Sequence, residues 1–366
     1  MKIGLLITSI GNFGLKGCYN SQEIGLAKAL DSYFNAVYIY KLIPESNQRK
    51  DEKIDGTKNV ILHSIPSKSF GINGLLNISD LDSSLDSLVY FSDTQISVPK
   101  VYRWAAKNKV QFFPYIGVLE SHSTSKWKKL IMDALFRRNL EVYRHCHCLV
   151  KTPTVEQKLH QLGVDKIMVT PVGLDLSLLH QGYEVVEKTS LKEKYGFQQA
   201  DKVLLFVGRL IEEKQPLRMI EIFNEIYTKD CNYRLLMVGQ GELKFAVDTA
   251  IKGAALQAVV TRIEQIPNAD IWELYRLADC FVNLNQQEIF GMAILEAMYY
   301  GCKVVAWKAP GPELIIEDGV SGFLVDNYKM LCSRVVSEEH HPVNGRKRVL
   351  ENFTWNNMAR YIDSIV

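Results

Sequence analysis

The chain has no run of about eighteen consecutive apolar residues, so no helix long enough to cross a bilayer is expected. It has no strong charge of either sign: 43 Lys and Arg stand against 41 Asp and Glu, a formal net charge of +2. Bulk electrostatics therefore does not call for nucleic acid, and none is expected as a partner. A paired cysteine framework is also missing. The seven cysteines are odd in number and scattered, mostly through apolar runs such as ADCFV and YGCKVV, the usage of a reduced chain with buried thiols. HCHC at His145–Cys148 has no second C-x-x-C cluster to complete a tetrahedral zinc site, and reads as the start of the strand CHCLVKT. DLD at Asp80–Asp82 lies in the Ser/Asp-rich ISDLDSSLDS and reads as a loop or cap, so no metal site is expected. The opening MKIGLLITSIGNFG carries one Lys and a short apolar run and lacks the length and cleavage site of a secretory leader, and with the cysteine usage a cytoplasmic protein is expected.

What the sequence does have is alternation. KIGLLITSI, AVYIYKL, NVILHSI, SLVYFSD and VQFFPYIG read as short buried strands, with helical stretches such as VPKVYRWAAKN among them. After the polar QGYEVVEKTSLKEKYGFQQAD, the best linker candidate, the pattern restarts. KVLLFVGRL, YRLLMVGQG, AVVTRI, DCFVNLN and KVVAW alternate with PLRMIEIFNEIYTK, ELKFAVDTAIKGAAL, DIWELYRLA and GMAILEAMYYG. Two successive βα arrays in 366 residues predict two Rossmann-like α/β domains with parallel sheets facing a central cleft. The boundaries are 1–175 and 176–351, with a C-terminal amphipathic helix at about 352–366 packing back on the first domain.

Three stretches carry candidate chemistry. GNFGLKG places Gly11, Gly14 and Gly17 between a strand and a helix. Its spacing is not the G-x-G-x-x-G of dinucleotide sites, and the second strand ends in Lys41 rather than an acid, but it still allows close backbone approach to a sugar or phosphate. VGRLIEEKQP puts Arg209 and Lys214 just past a strand's carboxyl end, where α/β ligands bind and where two cations suit a diphosphate. EIFGMAILEAMYYG brackets a Phe-Gly step with Glu288 and Glu296. In one continuous helix the two carboxylates would diverge by roughly 80°. If the helix instead starts near Gly291, Glu288 lies in the loop before it and Glu296 about a turn and a half inside, and both border an anion-favouring helix N-terminus.

VGRLIEEKQ, VGQGEL, EIFGMAILEAMYYGCKVVA and PELIIEDGVSGFLV, in this order, resemble the retaining glycosyltransferases of family four, which have the GT-B fold. TPVGLDLSLL and FTWNNMA extend the resemblance upstream and downstream. It implies an acceptor-binding first domain, a donor-binding second domain, and transfer of a sugar from a nucleotide diphosphate sugar, UDP-linked or else GDP-linked, to a hydroxyl of a lipid-linked or surface-polysaccharide acceptor. Arg209 and Lys214 would hold the diphosphate and stabilise its departure without a metal or other cofactor. Glu288 would contact the transferred sugar, and Glu296 the ribose. Phe290, Gly291 and Met292 would offer backbone amides. Gly239 and Gly241 would shape the loop after the second strand of the donor domain, and the base would pack near Arg262 and Ile263.

This sequence departs from that pattern in places. Leu284-Asn285 replaces the usual Pro-Ser, and Lys303 replaces a proline in GCKVV. Gly117 stands near the place where the family carries a cleft histidine; His122 is the candidate by residue type, followed by Glu120. STSKWKKLIMDALFRRNLEVYRH, within about 124–145, sets Trp127, Leu130, Ile131, Ala134 and Leu135 on one helical face. With Lys126, Lys128, Lys129, Arg137, Arg138 and Arg144 it suits an anionic membrane surface, hence a peripheral protein on the inner face, or else a helix packed in the core. Two rival functions remain on the same scaffold: a catalytically inactive binding subunit of a partner transferase, and a sugar-nucleotide epimerase.

Overall fold

The computed structural model describes residues 1–10, 22–119 and 126–366. The chain divides into two compact units, Met1–Asp175 with Thr354–Val366, and Leu176–Phe353.

The first unit holds strands β1 (Lys2–Ile7), β2 (Ala36–Pro44), β3 (Lys50–Lys53), β4 (Val60–Ser67), β5 (Ser69–Phe70), β6 (Asn73–Gly74), β7 (Ser87–Phe91), β8 (Gln111–Ile116), β9 (Cys148–Val150) and β10 (Ile167–Val169). Its main sheet runs β10-β9-β8-β7-β1-β2-β4-β3, and β5 and β6 form a separate hairpin. Every pairing in the main sheet is parallel except β3 with β4. The expectation of parallel sheets thus gains one antiparallel edge. That edge reads Lys-Asp-Glu-Lys and is mostly exposed, a charged strand that discourages pairing with other chains. Leu6, Tyr90, Trp104, Leu140 and Tyr143 belong to the core cluster of this unit. The helix Val98–Asn108 follows the expected stretch: it has a proline in its first turn, and Lys109 ends it in the left-handed conformation at φ 59°. The final helix, Trp355–Ile365, buries Trp355, Met358, Ala359 and Ile362, and Trp355 lies against Gly25 of the helix Gln22–Leu30.

The second unit holds β11 (Lys202–Val207), β12 (Tyr233–Val238), β13 (Val260–Ile263), β14 (Cys280–Asn283), β15 (Lys303–Trp307) and β16 (Phe323–Val325). All are parallel, in the order β13-β12-β11-β14-β15-β16. This is the 3-2-1-4-5-6 order of the Rossmann sheet, whose topological switch point lies between its first and fourth strands, here β11 and β14. The strands are near-continuous apolar runs because helices cover both faces, and Leu204, Phe223, Leu235, Val282 and Phe323 are buried among them.

The polar stretch expected to be a linker is a packed part of this unit. Tyr183 is buried and donates its hydroxyl hydrogen to the Tyr299 carbonyl at 2.6 Å. In the helix Lys188–Lys194, Lys188 pairs with Asp279 at 2.7 Å and Lys194 with Glu273 at 2.6 Å. Polar composition misled here because lysines can lay apolar stems on the fold while their ammonium groups reach acids.

Candidate active site

The carboxyl ends of β11 and β14 are where the sheet topology predicts a ligand. After β11 the chain passes Gly208 and Arg209 and makes a short 3₁₀ turn, Glu212–Lys214. Gln215 then adopts a left-handed φ of 52° and starts the helix Pro216–Lys229. A non-glycine residue in that region carries strain, and the reversal it makes directly follows Lys214. After β14 a loop leads through Asn285 and Glu288 to Gly291, whose φ of 104° opens the helix Met292–Tyr299.

The two loops meet. Lys214 Nζ lies 2.5 Å from Glu288 Oε2, with side-chain exposures of 20% and 13%. The same oxygen accepts from Asn283 Nδ2 at 3.4 Å and Asn285 Nδ2 at 3.3 Å. Both asparagines also turn the loop: Asn283 Oδ1 accepts from the Asn285 N–H, and Asn285 Oδ1 from the Gln287 N–H, each at 3.0 Å. The sequence offered Asn285 only as a departure from a family pattern. Its signal was an Asn two residues past Asn283, the spacing of an Asx turn.

Arg209 is exposed, and its guanidinium has no partner among the described residues. Gly239, at φ 142°, lets the loop after β12 approach the loop that carries Arg209; a Cβ there would lie 1.9 Å from the Gly208 carbonyl oxygen. Arg262 and Ile263 end the neighbouring strand β13, and Arg262 Nη1 is drawn to Asp248 at 3.0 Å. Phe290 is buried.

Glu296 is the fifth residue of its helix and is buried. Burial raises its carboxyl to about 7, against a lowering hydrogen bond from the Tyr275 hydroxyl at 2.8 Å. Tyr275 is a second residue that sequence reasoning missed, because it lies 21 positions away on another helix. Lys303, another family departure, is buried, donates to the Ser337 carbonyl and lies 5.4 Å from the Phe323 ring centroid.

In the first unit, Gly11, Gly14, Gly17, Glu120 and His122 lie outside the described residues. Gly117 is described: its N–H donates to Asp93 Oδ1 at 2.6 Å, and the Lys151 side chain fills the space a Cβ would take. Asp80 pairs with Arg49 at 2.8 Å, and Asp82 accepts from the Ser84 N–H at 2.8 Å. Cys146 and Cys148 are buried, and the strand of CHCLVKT begins at Cys148. Among the described residues no group of three or more His, Cys, Asp or Glu is placed to hold a metal. None of the described helices is long and apolar enough to cross a membrane.

The helix Lys126–Tyr143 is half packed. Leu140 and Tyr143 are buried, but Trp127 is 75% exposed, Leu130 60% and Ile131 46%. The β5–β6 hairpin adds exposed Phe70 and Ile72, with Leu75 just beyond it. Ile96 links hairpin and helix: its N–H donates to Asn73 Oδ1 at 2.9 Å, and its carbonyl accepts from Arg138 Nη2 at 2.6 Å.

Two Rossmann-type units, one with an ammonium–carboxylate pair at its switch point, have the architecture of a GT-B α/β protein, as the sequence led one to expect. Residues 187–337 match the family described as "Glycosyl transferases group 1". The chain is 24% identical over 207 residues to alpha-monoglucosyldiacylglycerol synthase of Acholeplasma laidlawii, covering 56% of this chain and 52% of that protein. It is 29% identical over 211 residues to D-inositol 3-phosphate glycosyltransferase of Segniliparus rotundus, covering 53% of this chain and 45% of that one. The chain thus spans about half the length of the curated relatives it matches. Among solved structures, sucrose-phosphate synthase from Thermosynechococcus elongatus shares the fold at a TM-score of 0.74 and 15% identity, covering 100% of this chain and 98% of that one. Anabaena HepE, solved with UDP-glucose, does so at 0.69 and 15%, covering 100% of both.

Proposed function

We propose that this protein is a retaining glycosyltransferase that moves a sugar from a nucleotide diphosphate sugar to an acceptor hydroxyl. The observation that carries the reading is the Lys214–Glu288 pair at the β11/β14 switch point, beside exposed Arg209 and the start of the helix Met292–Tyr299. In this reading Arg209 and Lys214 hold the diphosphate, and the backbone N–H groups at Gly291 and Met292 add an anion-favouring helix end. Glu288 is the acceptor for sugar hydroxyls and Glu296 for ribose hydroxyls. The base rests near Arg262 and Ile263.

In the reaction the acceptor oxygen bonds to the anomeric carbon as the bond from that carbon to the diphosphate oxygen breaks. Attack comes on the face the diphosphate leaves, and the departing phosphate takes the acceptor's proton. The negative charge that builds on the diphosphate is met by Arg209 and Lys214, so no metal is required. A UDP-sugar is the favoured donor, in keeping with the UDP-glucose complex of HepE.

A lipid-linked acceptor at an anionic membrane surface fits the exposed Trp127, Leu130 and Ile131, the exposed cations Lys129 and Arg137 on the same helix, and the neighbouring apolar hairpin. A relative named for a glucosylated diacylglycerol points the same way. Purified protein incubated with a panel of nucleotide sugars, with and without EDTA, tests the reading through released nucleotide. Release with at least one donor that survives the chelator supports it; no release across the panel in the presence of lipid-linked acceptors refutes it.

A further inference from the structure

A cavity of ≈ 420 Å³ lies at the other end of the second unit's strands. Ala278 and Asp279 in its wall directly precede β14, and Gly301 precedes β15, whereas Glu288 follows β14. The wall also carries Lys188, Arg276, His340 and Arg346, with Glu184 as its second acid. Both acids are already engaged. Asp279 takes Lys188 at 2.7 Å, Lys192 at 3.5 Å and the Val203 N–H at 2.7 Å. Glu184 takes Arg346 Nη1 at 2.5 Å. Arg276 pairs with no carboxylate among the described residues; Nη2 donates only to the Glu184 backbone carbonyl, at 3.5 Å.

Five buried side-chain polar atoms lack a hydrogen-bond partner among the described residues, and two of them, Arg276 Nε and Arg346 Nε, belong to this one wall. Both Nε atoms are shielded from water, so contact with a bound anion falls to the terminal Nη groups of the two guanidiniums. Arg346 lies beside the rings of Tyr183 and Tyr299, 5.2 Å from each centroid, and is paired with Glu184, so its guanidinium is held in place before anything binds. The positive field registers on His340, which burial together with Lys188 and Lys303 holds below the ordinary histidine value.

We propose that this cavity is a binding site for a small phosphate-bearing anion, with Arg276 and Arg346 as its ligands. A guanidinium presents its N–H groups in a planar fork that matches phosphate oxygens. The volume falls within the range of small-molecule pockets, roughly 300–1,000 Å³, and accommodates a phosphate monoester or a diphosphate. The site is separate from the Lys214–Glu288 pocket and does not depend on the activity proposed for it.

Titration calorimetry at constant ionic strength, with inorganic phosphate and with pyrophosphate, tests the proposal on the full chain. Saturable binding should persist in Lys214→Ala, which disables the other diphosphate site, and should weaken about tenfold or more when Arg276→Gln is added to that variant. In parallel, the His340 imidazole resonance should move on adding phosphate, with its pKa rising, because an anion offsets the field of Lys188 and Lys303. Binding that vanishes in Lys214→Ala and survives in Arg276→Gln would assign the anion to the other pocket and overturn the proposal, as would no saturable binding at all. Should Arg276→Gln fail to fold, the wild-type His340 resonance decides: no movement at saturating phosphate refutes the site.

Discussion

Lys214 and Glu288 are paired at 2.5 Å in the second unit, each mostly shielded from water, and two asparagine amides reach the same carboxylate oxygen. Under the proposed function, a donor's diphosphate would compete with Glu288 for this ammonium. The two residues should therefore fail in different ways. Lys214→Ala should weaken UDP binding and lower turnover about 100-fold, the scale of losing one charge-stabilising donor. Glu288→Gln should lower turnover comparably yet bind UDP as tightly as the wild type or more tightly, because Lys214 is freed. Calorimetry with UDP beside nucleotide-release assays separates the two. Undiminished release in both variants would remove these residues from the mechanism.

The buried Glu296 gives stability a pH dependence. Its carboxyl is raised from 4.5 to about 7, so between those values the folded state holds a proton that the unfolded chain has lost. The stabilisation is fully present below 4.5 and is lost as pH rises through 7, on the order of 3 kcal/mol over the window. Glu296→Gln should flatten that slope: similar to the wild type in acid, relatively more stable at pH 8. Tyr275→Phe removes the hydrogen bond that lowers the value, so its slope should extend to higher pH. Denaturant melts across the range check both, and parallel wild-type and Glu296→Gln curves would contradict the burial argument.

Gly239 should tolerate no side chain. A Cβ would sit 1.9 Å from the Gly208 carbonyl oxygen, and the φ of 142° is one that L residues rarely adopt. Gly239→Ala should cost about 3 kcal/mol and shift the loop that carries Arg209. A denaturation midpoint equal to the wild type's would show that the two loops are not packed this closely.

Trp127 and Leu130 should matter for membranes and not for folding. Both are more than half exposed, so Trp127→Ser with Leu130→Ser should change stability by less than about 0.5 kcal/mol. Co-sedimentation with vesicles rich in anionic lipid should fall several-fold in this double variant. Unaltered sedimentation would leave the apolar face without this role.

Much of the fold is legible along the chain because it rests on local periodicity. The helix Pro216–Lys229 coincides with the quoted stretch PLRMIEIFNEIYTK, with apolar positions at helical spacing and a proline at its start. The helix opening at Gly291 follows from placing Glu288 outside it. Short polar elements were not legible. The strand β3 is four charged residues stabilised by its pairing with β4, and the helix Lys188–Lys194 depends on acids contributed from elsewhere in its unit.

The order of strands and helices, the apolar runs that become sheet interiors, and the candidacy of Arg209, Lys214, Glu288 and Glu296 were set by the sequence itself, because residue type and spacing act over a few positions. Only the tertiary structure decided that Lys214 closes on Glu288 across 74 positions of chain, that Tyr275 bonds to Glu296, and that two arginines border one cavity behind the sheet. The reason is physical: a parallel sheet is stitched by long crossover connections, so residues at one end of neighbouring strands are remote in sequence, and their encounter depends on strand order and packing rather than on any local pattern.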